Sequence, residues 1–247
     1  MSYLLYCILR SPVQPGAGFP RGVGGKPVFV MAHDGLSVGL SEVAESDAAP
    51  DISEVLAYEA VVEHWFRDRT VIPVRYGCRL EDAAEVRRLL ERHCDEYGAL
   101  LNELENMAEM GIQVLLDHSR SAAENHARPV TPKSFRLSFR SGAAYLAAKR
   151  QRYQGLDRTT SRERRLAEEL CDGLSGLFVR RKLELPETSR GRLPSLYFLV
   201  PRASVEAFRK AVRQLGAKES RKLLLSGPWP PYNFVDSLEM WPDIQTP

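Results

Sequence analysis

The sequence predicts an α+β protein built as two α+β domains, residues 1–109 and 110–247. Three observations carry that prediction. Short apolar runs separated by turn residues precede the first helical stripe, helical stripes then alternate with strand-like runs, and the second half reads in the order βαββαβ. With 247 residues the chain is long enough for one large domain or two ordinary ones. Hydrophobic residues make up 44% and charged residues 27%, enough to bury a core, which excludes a disordered tail, a collagen-like fibre and a disulfide-stapled miniprotein.

Tyr3–Leu9 is a continuous apolar run and reads as a buried strand. It is too short to span a membrane, and it lacks the flanks of a secretory signal. The Pro- and Gly-rich stretch Ser11–Gly25 is a loop. Pro27–Ala32 offers a second strand, and Asp34-Gly35 turns the chain into a third at Leu36–Leu40. The first helix starts at Asp51, which with Glu54 forms a capping box. Val55, Tyr58, Val62, Trp65 and Phe66 give it one apolar face. Thr70–Tyr76 is extended around Pro73. Glu81–Leu104 is predicted to be one long helix, its stripe formed by Val86, Leu90, Cys94, Tyr97, Leu101 and Leu104.

In the second half Met110–Leu116 alternates as a strand, and a polar stretch follows from His118 to Ser138. Helices are expected over Ser141–Tyr153 and Ser161–Leu174, and a strand over Leu177–Leu185. Ser195–Val200 reads as a central strand, Ser204 caps a helix, and Lys222–Leu225 is the last strand. The order βαββαβ, with extra helix in the first crossover, is a modified ferredoxin-like pattern.

Charge is uneven along the chain. Residues 34–109 hold 18 acidic and 7 basic side chains, a balance of −11, whereas residues 118–165 hold 12 basic and 3 acidic, a balance of +9. The two segments can neutralise each other or offer a surface to a charged partner. Nucleic acid is a poor fit, because the basic segment lacks interleaved aromatics for base stacking; Lys149–Arg165 is the stretch that an RNA-binding reading would use. Cys7, Cys78, Cys94 and Cys171 are too few and scattered for a disulfide framework, which fits a reducing cytoplasm. Cys94, on the helical stripe, reads as a small buried hydrophobe.

Motifs for catalysis and cofactors fail one by one. Gly24-Gly25-Lys26 is followed by Pro27 where a phosphate loop needs Ser or Thr, and by a strand where it needs a helix. His93 and Cys94 are adjacent and point about 100° apart on a helix, and no second pair stands at metal-ligand spacing. Nucleophile-elbow, zinc-protease and dinucleotide-binding signatures are missing. No catalytic residue, cofactor or metal is therefore nominated. The candidate interaction residues are Trp229 and Tyr232, rigid aromatics in the proline-rich segment Ser226–Phe234, and Arg75 at a strand end. Each has a structural alternative: core packing for the aromatics and an internal salt bridge for Arg75.

Ser226-Gly-Pro-Trp-Pro-Pro-Tyr-Asn-Phe234 resembles a signature near the C-terminus of the gas vesicle protein F/L family. Leu199-Val200-Pro201-Arg202 with Val205, Ala207 and Phe208 is similar to that family's strand-to-helix junction, and Ser141-Gly142 with Tyr145-Leu146 to a helix start. Val71-Ile72-Pro73-Val74-Arg75-Tyr76-Gly77 and Glu109-Met110-Gly111-Ile112-Gln113-Val114 match two further segments. The likeness runs in order from Tyr6 to Val235. Ser226, Cys78 and Gln113 depart from the usual Thr, Thr and Lys, and Gln113 puts any contact of that lysine in doubt. The resemblance implies a non-enzymatic accessory or minor structural protein of gas vesicle formation, cytoplasmic and vesicle-associated, binding the small hydrophobic shell protein and other accessory proteins. It supplies no catalytic residues. The competing expectation is a ferredoxin-like domain that binds or transforms a small ligand. Which face meets the shell protein, whether the protein stays in the mature vesicle, and its oligomeric state are open at this level.

Overall fold

A computed structural model describes residues 2–13, 18–44, 51–115, 164–184, 195–218 and 222–235. The expected loop at His118–Ser138, the helix at Ser141–Tyr153 and nearly all of the basic segment lie outside the described residues.

The first sheet grows around β1 (Ser2–Arg10), which pairs antiparallel with β3 (Leu36–Val43) on one side. On its other side it pairs with two short strands, β4 (Ile72–Pro73) and β5 (Arg79–Leu80). β2 (Phe29–His33) closes the order β2-β3-β1-β4. Asp34 and Gly35, at φ 44° and 77°, make the tight β2–β3 turn that the sequence pair predicts. β1 reads as an unbroken apolar run because both of its faces are covered. A bulge between Leu5 and Cys7 resets the alternation. Leu4, Tyr6, Cys7 and Leu9 therefore join one core, and Leu5 and Ile8 the other.

Helix α1 (Ile52–Phe66) covers the first face, and its Asp51–Glu54 capping box is present. Tyr58, Val61, Val62, Trp65 and Phe66 are its buried side. Opposite them β3 carries the small residues Ser37, Gly39 and Ser41, all buried; a Cβ added at Gly39 would land on the Trp65 ring. The Tyr58 hydroxyl donates to the Val74 carbonyl at 2.7 Å, tying α1 to the sheet.

The second face is covered by two helices rather than one. The expected helix over Glu81–Leu104 breaks at His93 (φ −116°, ψ 21°) into α2 (Ala83–Arg92) and α3 (Cys94–Glu103). The stripe survives the break, since Val86, Leu90, Tyr97, Leu101 and Leu104 are all buried in one core. Cys94 is only half-buried at the break, its thiol 3.6 Å from the Asp34 carbonyl, and so is not the interior residue expected.

The second sheet has the order β7-β8-β6-β9, all antiparallel, from β6 (Met107–Leu115), β7 (Arg180–Glu184), β8 (Ser195–Pro201) and β9 (Lys222–Trp229). Helix α4 (residues 164–173) precedes β7, and α5 (Val205–Lys218) joins β8 to β9. This is the arrangement of a split βαβ fold, with β8 lying between the two strands of the first crossover. Met110, Ile112, Phe198 and Val200 pack under Leu170 of α4, Leu174 just after it, and Phe208 and Val212 of α5. The division expected after Glu109 falls inside β6, because the strand begins at Met107. β9 is four residues longer than expected: its proline lies on an edge strand, where a missing amide costs no ladder bond.

The two halves share cores. Leu199, Phe234 and Val235 enter the cluster formed by α2, α3 and the first sheet. Arg202, just after β8, reaches the C-terminus of α1: its guanidinium donates to the Phe66 carbonyl and, at 3.2 Å, to the Arg67 carbonyl, and lies 4.0 Å from the Phe66 ring centre. A cation at a helix C-terminus satisfies carbonyls that lack intrahelical partners.

Candidate functional site

The two sheets differ in what covers them. The first is buried on both faces, whereas among the described residues the second has helices on one face only. On its other face the register places three rows of side chains. Arg180, Leu199, Glu109 and Trp229 form the row nearest the first half; Lys182, Tyr197, Gly111 and Ser226 form the next; Glu184, Ser195, Gln113 and Leu224 form the last.

The chain's own tail covers the first row. Glu109, almost fully buried, accepts from the Asn233 amide at 2.8 Å and from the Asn233 side-chain amide at 2.6 Å. Phe234 lies 5.7 Å below the Arg180 guanidinium. The other two rows are partly open. Leu224 is 50% exposed, and beyond the tail's reach Trp229 is 44% exposed at the end of β9.

The borders of this sheet are unlike each other. β7 presents Arg180, Arg181, Lys182 and Glu184, the charged pattern that discourages another strand from pairing. β9 offers Leu223, Leu224 and Leu225 on a border with no partner strand among the described residues.

The three nominated residues do not form one patch. Trp229 stands on the open border just described. Tyr232 is half-buried in the 3-10 turn Tyr232–Phe234 and packs against the core beneath α1. Its hydroxyl is buried without a hydrogen-bond partner among the described residues, and burial raises its pKa, with Glu59, Cys7 and Glu109 adding to the shift. Tyr232 is thus a joint between halves, and Trp229 is the aromatic that faces solvent. Arg75 is exposed on the loop between β4 and β5, on the first sheet; its carbonyl accepts from the Cys78 amide at 3.3 Å.

The glycine turn rejected as a phosphate loop is occupied by its own chain. The Val23 amide donates to the Tyr6 hydroxyl at 3.1 Å, the Gly22 amide to the Lys26 carbonyl at 2.8 Å and the Gly25 amide to the Gly22 carbonyl at 3.0 Å. Tyr6 in turn donates to Ser41 at 3.0 Å. The cysteines are free thiols. Burial, helped by Glu85, pushes Cys78 up to about 11, the opposite of what a nucleophile needs. Among the described residues no group of three His, Cys, Asp or Glu is placed to hold a metal ion, and no helix is long and apolar enough to cross a membrane.

Sequence reasoning missed Leu224, Glu109 and Arg202 as surface and joint residues. Leu224 had a local signal: alternation along Lys222–Trp229 sends it to the face opposite Leu223 and Leu225. Glu109 and Arg202 had none, since their partners are 124 and 136 residues away.

Comparison with known proteins bears on the whole chain. The family model described as gas vesicle synthesis protein GvpL/GvpF matches residues 2–236. Gas vesicle protein F of Streptomyces sp. is 24% identical over 249 residues, 96% of this chain and 100% of that protein. Gas vesicle protein F1 of Halobacterium salinarum is 23% identical over 217 residues, 86% and 83% of the two chains. Among solved structures, gas vesicle protein GvpF from Anabaena sp. PCC7120 superposes with a TM-score of 0.75 at 18% identity, over 95% of each chain. GvpF from Microcystis aeruginosa gives 0.73 at 16% identity, over 95% and 98%. At such identities these two structures speak for the fold.

Proposed function

Because the chain belongs to the gas vesicle synthesis protein GvpL/GvpF family, we propose that it is a non-enzymatic accessory or minor structural protein of gas vesicle formation. In this reading it binds the small hydrophobic shell protein, and other accessory proteins, to nucleate or assist assembly in the cytoplasm at the vesicle. The physical logic is that an amphipathic shell subunit aggregates unless its apolar surface is covered before a lattice forms. The observation that supports a docking role is the part of the second sheet's face, with its leucine-lined border, that no described residue covers; Leu224 and Trp229 are exposed there, as Ile52 and Leu56 are on α1 and Val179 and Leu183 are at β7. Exposed aromatics at a sheet edge are strong anchors because they bury much area at little entropic cost. Arg75, on the other sheet, serves as a second contact. The two halves, one per sheet, then present separate surfaces on one rigid joint.

Co-expression with the shell protein tests this. The full chain is expected to co-purify with it, and Trp229→Ser with Leu224→Ser is expected to cut the yield at least about tenfold while leaving the unfolding temperature within a few degrees. Equal capture by the double variant would remove this surface from the proposal. No capture by the native chain under assembly conditions would remove the shell-binding role itself.

A further inference from the structure

Where the two halves meet, the chain encloses an open cavity of about 330 Å³ whose lining includes Arg10, Arg67, Asp68, Arg69, Glu105 and Arg202. We propose that this cavity is a binding site for a small oxyanion ligand, a phosphate or carboxylate compound, a role distinct from docking at the second sheet.

The arginines are fixed in place by neutral acceptors. Arg10 donates to the Gly98 carbonyl at 3.2 Å and to the Asn102 side-chain oxygen at 2.5 Å. Arg69 donates to the Pro12 carbonyl at 3.1 Å, and Arg202 to the Phe66 and Arg67 carbonyls. Among the described residues none of these three has a carboxylate within 4.0 Å, and Arg67 meets Glu63 only at 3.9 Å. A carbonyl or amide oxygen orients a guanidinium without cancelling its charge. Each guanidinium has five N–H donors, so donors remain for a ligand, in the planar fork that suits phosphate and carboxylate.

The charge balance sets the ligand's size and valence. Four arginines face Asp68 and Glu105, and the C-termini of α1 and α3 each contribute roughly half a negative charge. About one positive charge is left over within the lining, and Glu63 at 3.9 Å from Arg67 takes up part of it, so the site favours a small oxyanion of charge one or two over a more highly charged one. Burial works against the Arg202 cation, Asp68 offsets part of that cost, and a bound anion beside it offsets more. At about 30 Å³ per water, the cavity suits orthophosphate or a dicarboxylate. Among the described residues Leu101 is the one apolar side chain of its lining, which gives a nucleobase little to rest on.

The test is calorimetric titration of the full chain, at low and at physiological salt, with inorganic orthophosphate and with succinate. One saturable site is expected for at least one probe, and the stronger probe assigns the ligand as phosphate or carboxylate. Arg10→Gln with Arg69→Gln is expected to weaken binding by about tenfold or more. Arg180→Gln, outside the cavity, is expected to leave it unchanged. Should the double variant fail to fold, Arg69→Gln alone carries the comparison, since it gives up a single bond to the Pro12 carbonyl. Absence of saturable binding for both probes, equal affinity in the Arg69 variant, or an equal loss in the Arg180 control would each overturn the assignment.

Discussion

Arg202 shows how one side chain fastens two halves of a chain. It caps the end of α1, stacks on Phe66, and its backbone amide donates to the Asn106 carbonyl at 2.8 Å. Arg202→Met keeps the apolar stem and removes the donors. We expect it to cost about 1–3 kcal/mol in urea denaturation, and Arg202→Lys to recover only part, because an ammonium lacks the planar fork. Cys78 gives a pH test. Its thiol is pushed up to about 11 from 9.0 by burial and by Glu85, so between those values the folded state holds a proton that the unfolded state has released. Stability is therefore full below pH 9 and falls as pH rises towards 11, by up to about 3 kcal/mol from this group. Urea midpoints at pH 8, 9, 10 and 11 should decline, and less steeply in Cys78→Ala. The buried phenols of Tyr58, Tyr97 and Tyr232, all raised chiefly by burial, extend the decline to higher pH in both proteins.

At the scale of elements, packing of β3 against α1 depends on a missing side chain. Gly39→Ala drives a methyl into the Trp65 ring and is expected to destabilise by about 1–3 kcal/mol. In a double-mutant cycle, Trp65→Leu should make the Gly39 change nearly neutral; simple additivity would show that the clash is relieved elsewhere. Elements with local signals were legible in the sequence: the apolar β1, the Asp34-Gly35 turn, the Asp51–Glu54 capping box and the βαββαβ order. The break at His93 was not, because Leu90, Cys94 and Tyr97 keep helical spacing across it and no Gly or Pro marks it. β4 and β5 were blurred because two-residue strands carry no period. The length of β9 was hidden by its proline, which is forbidding only in a strand with partners on both sides. Of the candidate site, composition nominated Trp229 and Tyr232 alike, and it did not tell that the first faces solvent and the second packs inward. Which aromatic of a proline-rich run turns inward is decided by distant groups such as Glu109 and α1.

For the whole molecule, shared cores imply shared fate. Leu199, Phe234 and Val235 complete the cluster under α2 and α3, and Tyr232 packs beneath α1. We expect one cooperative thermal transition, with far-ultraviolet circular dichroism and tryptophan emission giving coincident midpoints. Two separated transitions would mean that each sheet melts by itself. The same interlocking predicts that a fragment ending at Glu109, inside β6, exposes apolar surface and aggregates, so binding studies need the full chain. The unequal borders of the second sheet bear on stoichiometry. A strand bristling with like charges turns away newcomers, while the leucine-rich one opposite can admit a single guest. Among the described residues this sheet has one such receptive side, and a sheet receptive on one side ends a row of strands instead of extending it.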